Sequence, residues 1–130
     1  MRKFKAEKLI RDKLQEILAQ KDIETTCTKI EGKQLLKALQ EKLVEETKEC
    51  MVDDKNEILA ELADVIEVIH AIAKACDFSL DQIEQARVKK HADRGGFDEG
   101  IYCKDISMQE DNPALTYYLA KPNEYPEITD

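Results

Sequence analysis

The sequence predicts an all-α fold of four to five helices, and three observations carry that prediction. Apolar residues return with a period near 3.6 in successive windows between Lys8 and Arg94. Helix-starting residues, Asp54 and Ser79, stand just ahead of two of these windows, and Gly95-Gly96 closes the last. All three prolines (Pro113, Pro122 and Pro126) come later, so none interrupts the helical part.

The first helix is expected over about Lys8–Gln20, with Leu9, Ile10, Leu14, Ile17 and Leu18 on its apolar side. Ile23–Ile30 (IETTCTKI) is rich in β-branched residues and alternates loosely, which reads as a short strand or an extended connection. A second helix begins near Glu31–Lys33 and runs to about Met51. Leu35, Leu36, Leu39, Leu43 and Cys50 form its stripe, and Val44 widens it. Val52-Asp53-Asp54 is the break, with Asp54 as N-cap of the next helix and Glu57 in capping-box position.

The third helix, about Lys55–Cys76, is the most apolar: Ile58, Leu59, Leu62, Val65, Ile66, Val68, Ile69, Ile72 and Ala73. So broad an apolar surface suits a central helix packed on several neighbours, another subunit included. Ser79, with Gln82 three residues on, starts the fourth helix, which ends where Gly95 can take the left-handed conformation. Phe97–Ile106 reads as extended and could pair with Ile23–Ile30 as a small two-stranded sheet. Ser107–Asp130 reads as an irregular tail or a short helix around Pro113–Ala120, with enough apolar surface in Tyr117, Tyr118 and Leu119 to dock on the body. The expected organisation is one all-α domain over residues 1–106, with 107–130 as a tail packed on it.

A formal net charge of −8 disfavours nonspecific nucleic-acid binding. No stretch approaches the roughly 20 apolar residues of a membrane span, and the basic N-terminus lacks the apolar run of a secretory signal. The four cysteines (27, 50, 76 and 103) show no C-x-x-C spacing. They read as buried free thiols of a cytoplasmic protein rather than as disulfides or a zinc site.

Chemistry is suggested by two acidic pairs, Glu46-Thr-Lys-Glu49 and Glu61-Leu-Ala-Asp64. At a spacing of three, both carboxylates of a pair share a helix face, and each pair borders the face expected to be buried. A turn near Asp53 can bring the pairs together. Four converging carboxylates would then suit a hard divalent cation, Mg²⁺ or Mn²⁺, better than zinc. Against this stands the ordinary reading: Asp and Glu make up 28 of 130 residues, so an acidic pair is often only a solvated surface. Spacing alone leaves both readings open. His70 reads as a buried, hydrogen-bonded or interface histidine rather than a ligand. Neither it nor His91 forms a nucleophile motif with serine or cysteine.

Glu45-Glu46-Thr-Lys-Glu49 followed by Glu61-Leu-Ala-Asp64 resembles the metal-binding signature of the all-α nucleotide pyrophosphohydrolases, the MazG-like superfamily. Lys8-Leu-Ile-Arg-Asp-Lys-Leu14 and Arg94-Gly-Gly-Phe-Asp-Glu-Gly-Ile101 resemble the branch related to phosphoribosyl-ATP pyrophosphohydrolases. The resemblance covers about residues 6–104. It departs at Gln15, where relatives of that branch usually carry proline.

The resemblance implies that Glu46, Glu49, Glu61 and Asp64 are metal ligands and Glu45 a neighbour, acting as a supporting residue or a base. It implies a Mg²⁺-dependent (or Mn²⁺-dependent) cleavage between the α and β phosphates of a nucleoside triphosphate, giving monophosphate and pyrophosphate. Glu46 or Glu49 would orient the water. The substrate's charge calls for cations, and Arg11, Lys13, Lys90 and Arg94 are the candidates. Arg11 and Lys13 also have a plainer use in helix solvation, and Arg94 in compensating the helix dipole. Gly95-Gly96 lacks the pattern of a phosphate loop. The family also implies a homodimer or homotetramer. Hydrolysis of phosphoribosyl-ATP in histidine biosynthesis, or noncatalytic binding of nucleotide or protein, are the competing functions.

Overall fold

The computed structural model describes residues 1–129 and is all-α. Its helices are α1 (Leu14–Ala19), α2 (Gly32–Glu49), α3 (Lys55–Ala75), α4 (Leu80–Arg94) and α5 (Leu115–Leu119). The chain divides into two compact units, Met1–Arg94 and Gly95–Asp130. No helix among the described residues is long and apolar enough to cross a membrane.

In the first unit, α2 and α3 are the helices that pack extensively on each other. Residues 50–54 join them into a hairpin. The Asp54 side chain accepts hydrogen bonds from the Asn56 and Glu57 backbone N–H groups, satisfying donors that the first turn leaves free. Between the two helices lies a small core of Leu39, Val68 and Ala73. On the far side of α3, Leu59, Leu62 and Ile66 stay exposed. They recur at i, i+3 and i+7, so they line one face of the helix.

Helix α3 ends in a Schellman-type turn. Phe78 N–H donates to the Ala73 carbonyl at 2.8 Å, and Asp77 takes a left-handed φ of 59°. A short polar side chain tolerates that conformation better than a branched one would. Helix α4 opens with the capping box read from the sequence: Ser79 N–H donates to Gln82 Oε1, and Gln82 N–H donates to Ser79 Oγ. It closes at Gly95, at a φ of +79°. No residue of α4 is buried.

Two expectations are corrected. Helix α1 begins at Leu14 rather than near Lys8, with no side-chain cap at Lys13. Residues 8–11 lie outside it, where Lys8 and Arg11 reach carboxylates on α2 and α3 instead. The two-stranded sheet of 23–30 with 97–106 is absent, since no strand forms among the described residues. β-propensity needs a packed face to act on. Here Ile23, Phe97, Ile101 and Tyr102 are exposed, so neither segment gains one.

In the second unit, Asn112 Oδ1 accepts the Ala114 N–H just ahead of α5. The rings of Tyr117, Tyr118 and Tyr125 then gather within 4.9–6.3 Å of one another. Lys121 Nζ lies 4.4 Å from the Tyr117 ring centroid, a cation–π contact that completes this local cluster. Of the two readings of this segment, an irregular tail or a short helix around 113–120, the helix forms, over Leu115–Leu119.

Candidate metal centre

Helix α2 contributes Glu46, and α3 contributes Glu61 and Asp64 from successive turns of one face. One carboxylate oxygen from each lies within 4.8 Å of the other two. Glu46 is only 7% exposed, although its side chain ends in a carboxyl group. Its Oε2 and the Oε2 of Glu61 are enclosed with no hydrogen-bond partner. A buried, unpaired carboxylate oxygen is among the costlier arrangements a fold can hold, so the pair is a candidate place for a cation.

The chain supplies part of that charge. Lys42 Nζ lies 3.2 Å from Glu45 Oε2 and 3.2 Å from Glu46 Oε1. Lys8 Nζ reaches Glu45 Oε1 at 3.3 Å, and Arg11 Nη2 donates to Asp64 Oδ1 at 2.5 Å. Partial burial works against the Lys42 ammonium, but hydrogen bonds to Glu46 and Glu45 outweigh it and hold its pKa above the ordinary lysine value. At Glu45 burial again disfavours the charge, yet Lys42 and Lys8 win and hold the carboxyl below its usual range. Glu61 has no cation of its own among the described residues.

The donor set is all oxygen and anionic, with two enclosed acceptor atoms unused. A set of this kind could hold a hard cation and lacks the nitrogen or sulphur that zinc favours. Of the four carboxylates expected to converge, three meet. Glu49 stands outside the close group and is exposed. It remains near enough to act on a shared neighbour, the Cys50 thiol. Burial pushes that thiol up first, and the charges of Glu61, Glu46, Asp64 and Glu49 push it further.

The candidate phosphate cations divide. Arg11 is at the centre, on Asp64. Lys13 is exposed at the N-cap of α1, and Lys90 and Arg94 are exposed on α4. None of these three forms an ion pair among the described residues. His70 is exposed rather than buried, and it lies outside the acidic group. All four cysteines are free, but Cys27 and Cys103 are exposed and Cys50 and Cys76 half-buried.

Lys42 is the residue the sequence reading missed. Its signal was available: it precedes Glu45 by three residues and Glu46 by four, both contact spacings on a helix. Compared with known proteins, the chain matches no family model, no curated protein and no solved structure.

Proposed function

We propose that the chain is a metal-dependent nucleotide pyrophosphohydrolase of the MazG-like all-α kind, in the branch resembling phosphoribosyl-ATP pyrophosphohydrolases. It would cleave the α–β phosphoanhydride bond of a nucleoside triphosphate. The observation that carries this reading is the pair of enclosed, unpartnered carboxylate oxygens on Glu46 and Glu61, converging with Asp64. When bound, Mg²⁺ or Mn²⁺ supplies charge neutralisation for the phosphates and makes water a better nucleophile.

Glu46, Glu61 and Asp64 are the residues that would hold the ion. Glu49 is exposed and free of the close group, so its carboxylate is available to orient the water or accept its proton. Glu45, held by two lysines, fixes the position of Lys42 and Lys8 rather than acting as a base. Arg11, which pairs with Asp64, would bind a phosphate oxygen beside the centre. Lys13, Lys90 and Arg94 are further clamps, and they need an arrangement that brings α1 and α4 to the nucleotide.

Assembly into a homodimer or homotetramer is part of the proposal. Helix α4 buries no residue, and Leu59, Leu62 and Ile66 leave an apolar stripe on α3 that a second copy would cover.

A screen of nucleoside triphosphates and phosphoribosyl-ATP, with and without Mg²⁺, should yield monophosphate and pyrophosphate in equal amounts for at least one substrate. Glu61→Ala and Asp64→Ala should abolish that release. Turnover that survives in both variants would sink the mechanism. Saturable nucleotide binding without product would favour a binding module instead.

A further inference from the structure

The next inference rests on the metal reading above and concerns Lys42, which that reading leaves out. Lys42 lies one turn before Glu46 on α2, and only 17% of its side chain is exposed. Glu46 therefore has one oxygen on an ammonium and the other enclosed without a partner. Arg11 holds Asp64 in a similar clip, whereas Glu61 has none. A divalent ion that takes the unpartnered Oε2 of Glu46 would share that carboxylate with the Lys42 ammonium on Oε1, and at Asp64 it would share the carboxylate with Arg11.

The two clips differ in kind. A guanidinium keeps its charge and its planar fork wherever it lies, while lysine carries a compact charge on a flexible stem. Both are cations on carboxylates that a divalent ion would need, and Lys42 is the more enclosed of the two. We infer that Lys42 is an internal counter-ion of the centre that tunes its affinity for a divalent ion. It stands on Oε1 of Glu46 and so opposes a second cation on Oε2 of the same carboxylate. Lys42 is thus a positioning residue that acts through Glu46.

The test is calorimetric titration of the whole chain with Mn²⁺, and separately with Mg²⁺, in the absence of nucleotide. Lys42→Met should bind Mn²⁺ on the order of 10-fold more tightly, because a charge-assisted hydrogen bond no longer competes. Its melting temperature without metal should fall, and the rise on adding Mn²⁺ should exceed that of the unaltered chain. Lys42→Gln gives a second neutral variant that keeps a hydrogen bond if the methionine form folds poorly. Lys42→Arg should stay within about twofold of the unaltered chain, and so should Lys37→Met, which removes an exposed and screened charge from the same helix.

Equal or weaker Mn²⁺ binding by the neutral variants would overturn the counter-ion role while leaving the metal centre standing. Absence of Mn²⁺ binding by the unaltered chain would overturn the metal reading, and this inference with it.

Discussion

In the α2–α3 hairpin a carboxylate, Glu46, is among the most enclosed side chains, while in α4 three apolar residues, Leu80, Ile83 and Val88, face solvent. Both regions are helical and rich in charge. In the hairpin, Leu39, Val68 and Ala73 exclude water, and an ion pair beside them shifts the titration of its partners. In α4 the ion pair of Glu84 and Arg87 is exposed on both sides, and no residue is buried. Acidic content says little about where chemistry lies. An enclosed carboxylate oxygen with no donor says more, because a cation, a proton or a hydrogen-bond donor has to meet it.

The contrast can be broken most decisively at the centre. Glu61→Ala should lower pyrophosphate release by more than the ~10–100-fold expected for loss of an outer partner of a metal site. Glu84→Ala should leave it unchanged, with both variants assayed by pyrophosphate detection at saturating Mg²⁺.

The next largest effect is on stability. Leu39→Ala should cost about 2–5 kcal/mol in chemical denaturation, the usual range for emptying a core position. In the isolated chain Ile83→Ala should cost no more than about 0.5 kcal/mol, as an exposed substitution does. A cost for Ile83→Ala comparable to that of Leu39→Ala would mean that α4 is covered in solution. Light scattering would then report the mass of a dimer or tetramer.

Part of this contrast was legible in the sequence. The periodic leucines of α2, the Asp54 cap and the Ser79–Gln82 box all use spacings of three or four residues, and all appear where the spacing puts them. The convergence of Glu46, Glu61 and Asp64 was legible for the same reason, since one short connection fixes which faces meet. Three things were not. The strand reading of Ile23–Ile30 failed because propensity is silent about whether a partner strand arrives. The early start of α1 failed because Lys8 and Arg11 find carboxylates far along the chain. The exposure of α4 was hidden because its sequence does not say which of its faces is covered.

Caps offer a finer comparison of the same two regions. Asp54→Ala and Ser79→Ala should each cost about 1 kcal/mol, measured by thermal or denaturant melts. The Asp54 variant should also weaken Mn²⁺ binding, because its helix carries Glu61 and Asp64, whereas the Ser79 variant should not.

The smallest effect is one of pH. Arg87 beside Glu84 holds that carboxyl below its ordinary value of 4.5, chiefly through their hydrogen bond. A depressed carboxylate stabilises the fold fully above its ordinary pKa and loses that contribution as pH falls through the lowered value. Glu84→Gln should therefore change helical circular dichroism slightly near neutral pH and not at all well below pH 4.5. A difference that grows on acidification would reverse the assigned sign.

The short connection over residues 50–54 also sets an order of events during folding. Glu46 and Glu61 meet by closing one small loop between neighbouring helices, a process of microseconds or less. Arg11 must return across 53 residues to reach Asp64, at a greater entropic cost of closure. On loop-closure grounds the approach of Glu46 to Glu61 is expected ahead of the contact between Arg11 and Asp64, which closes the longer loop.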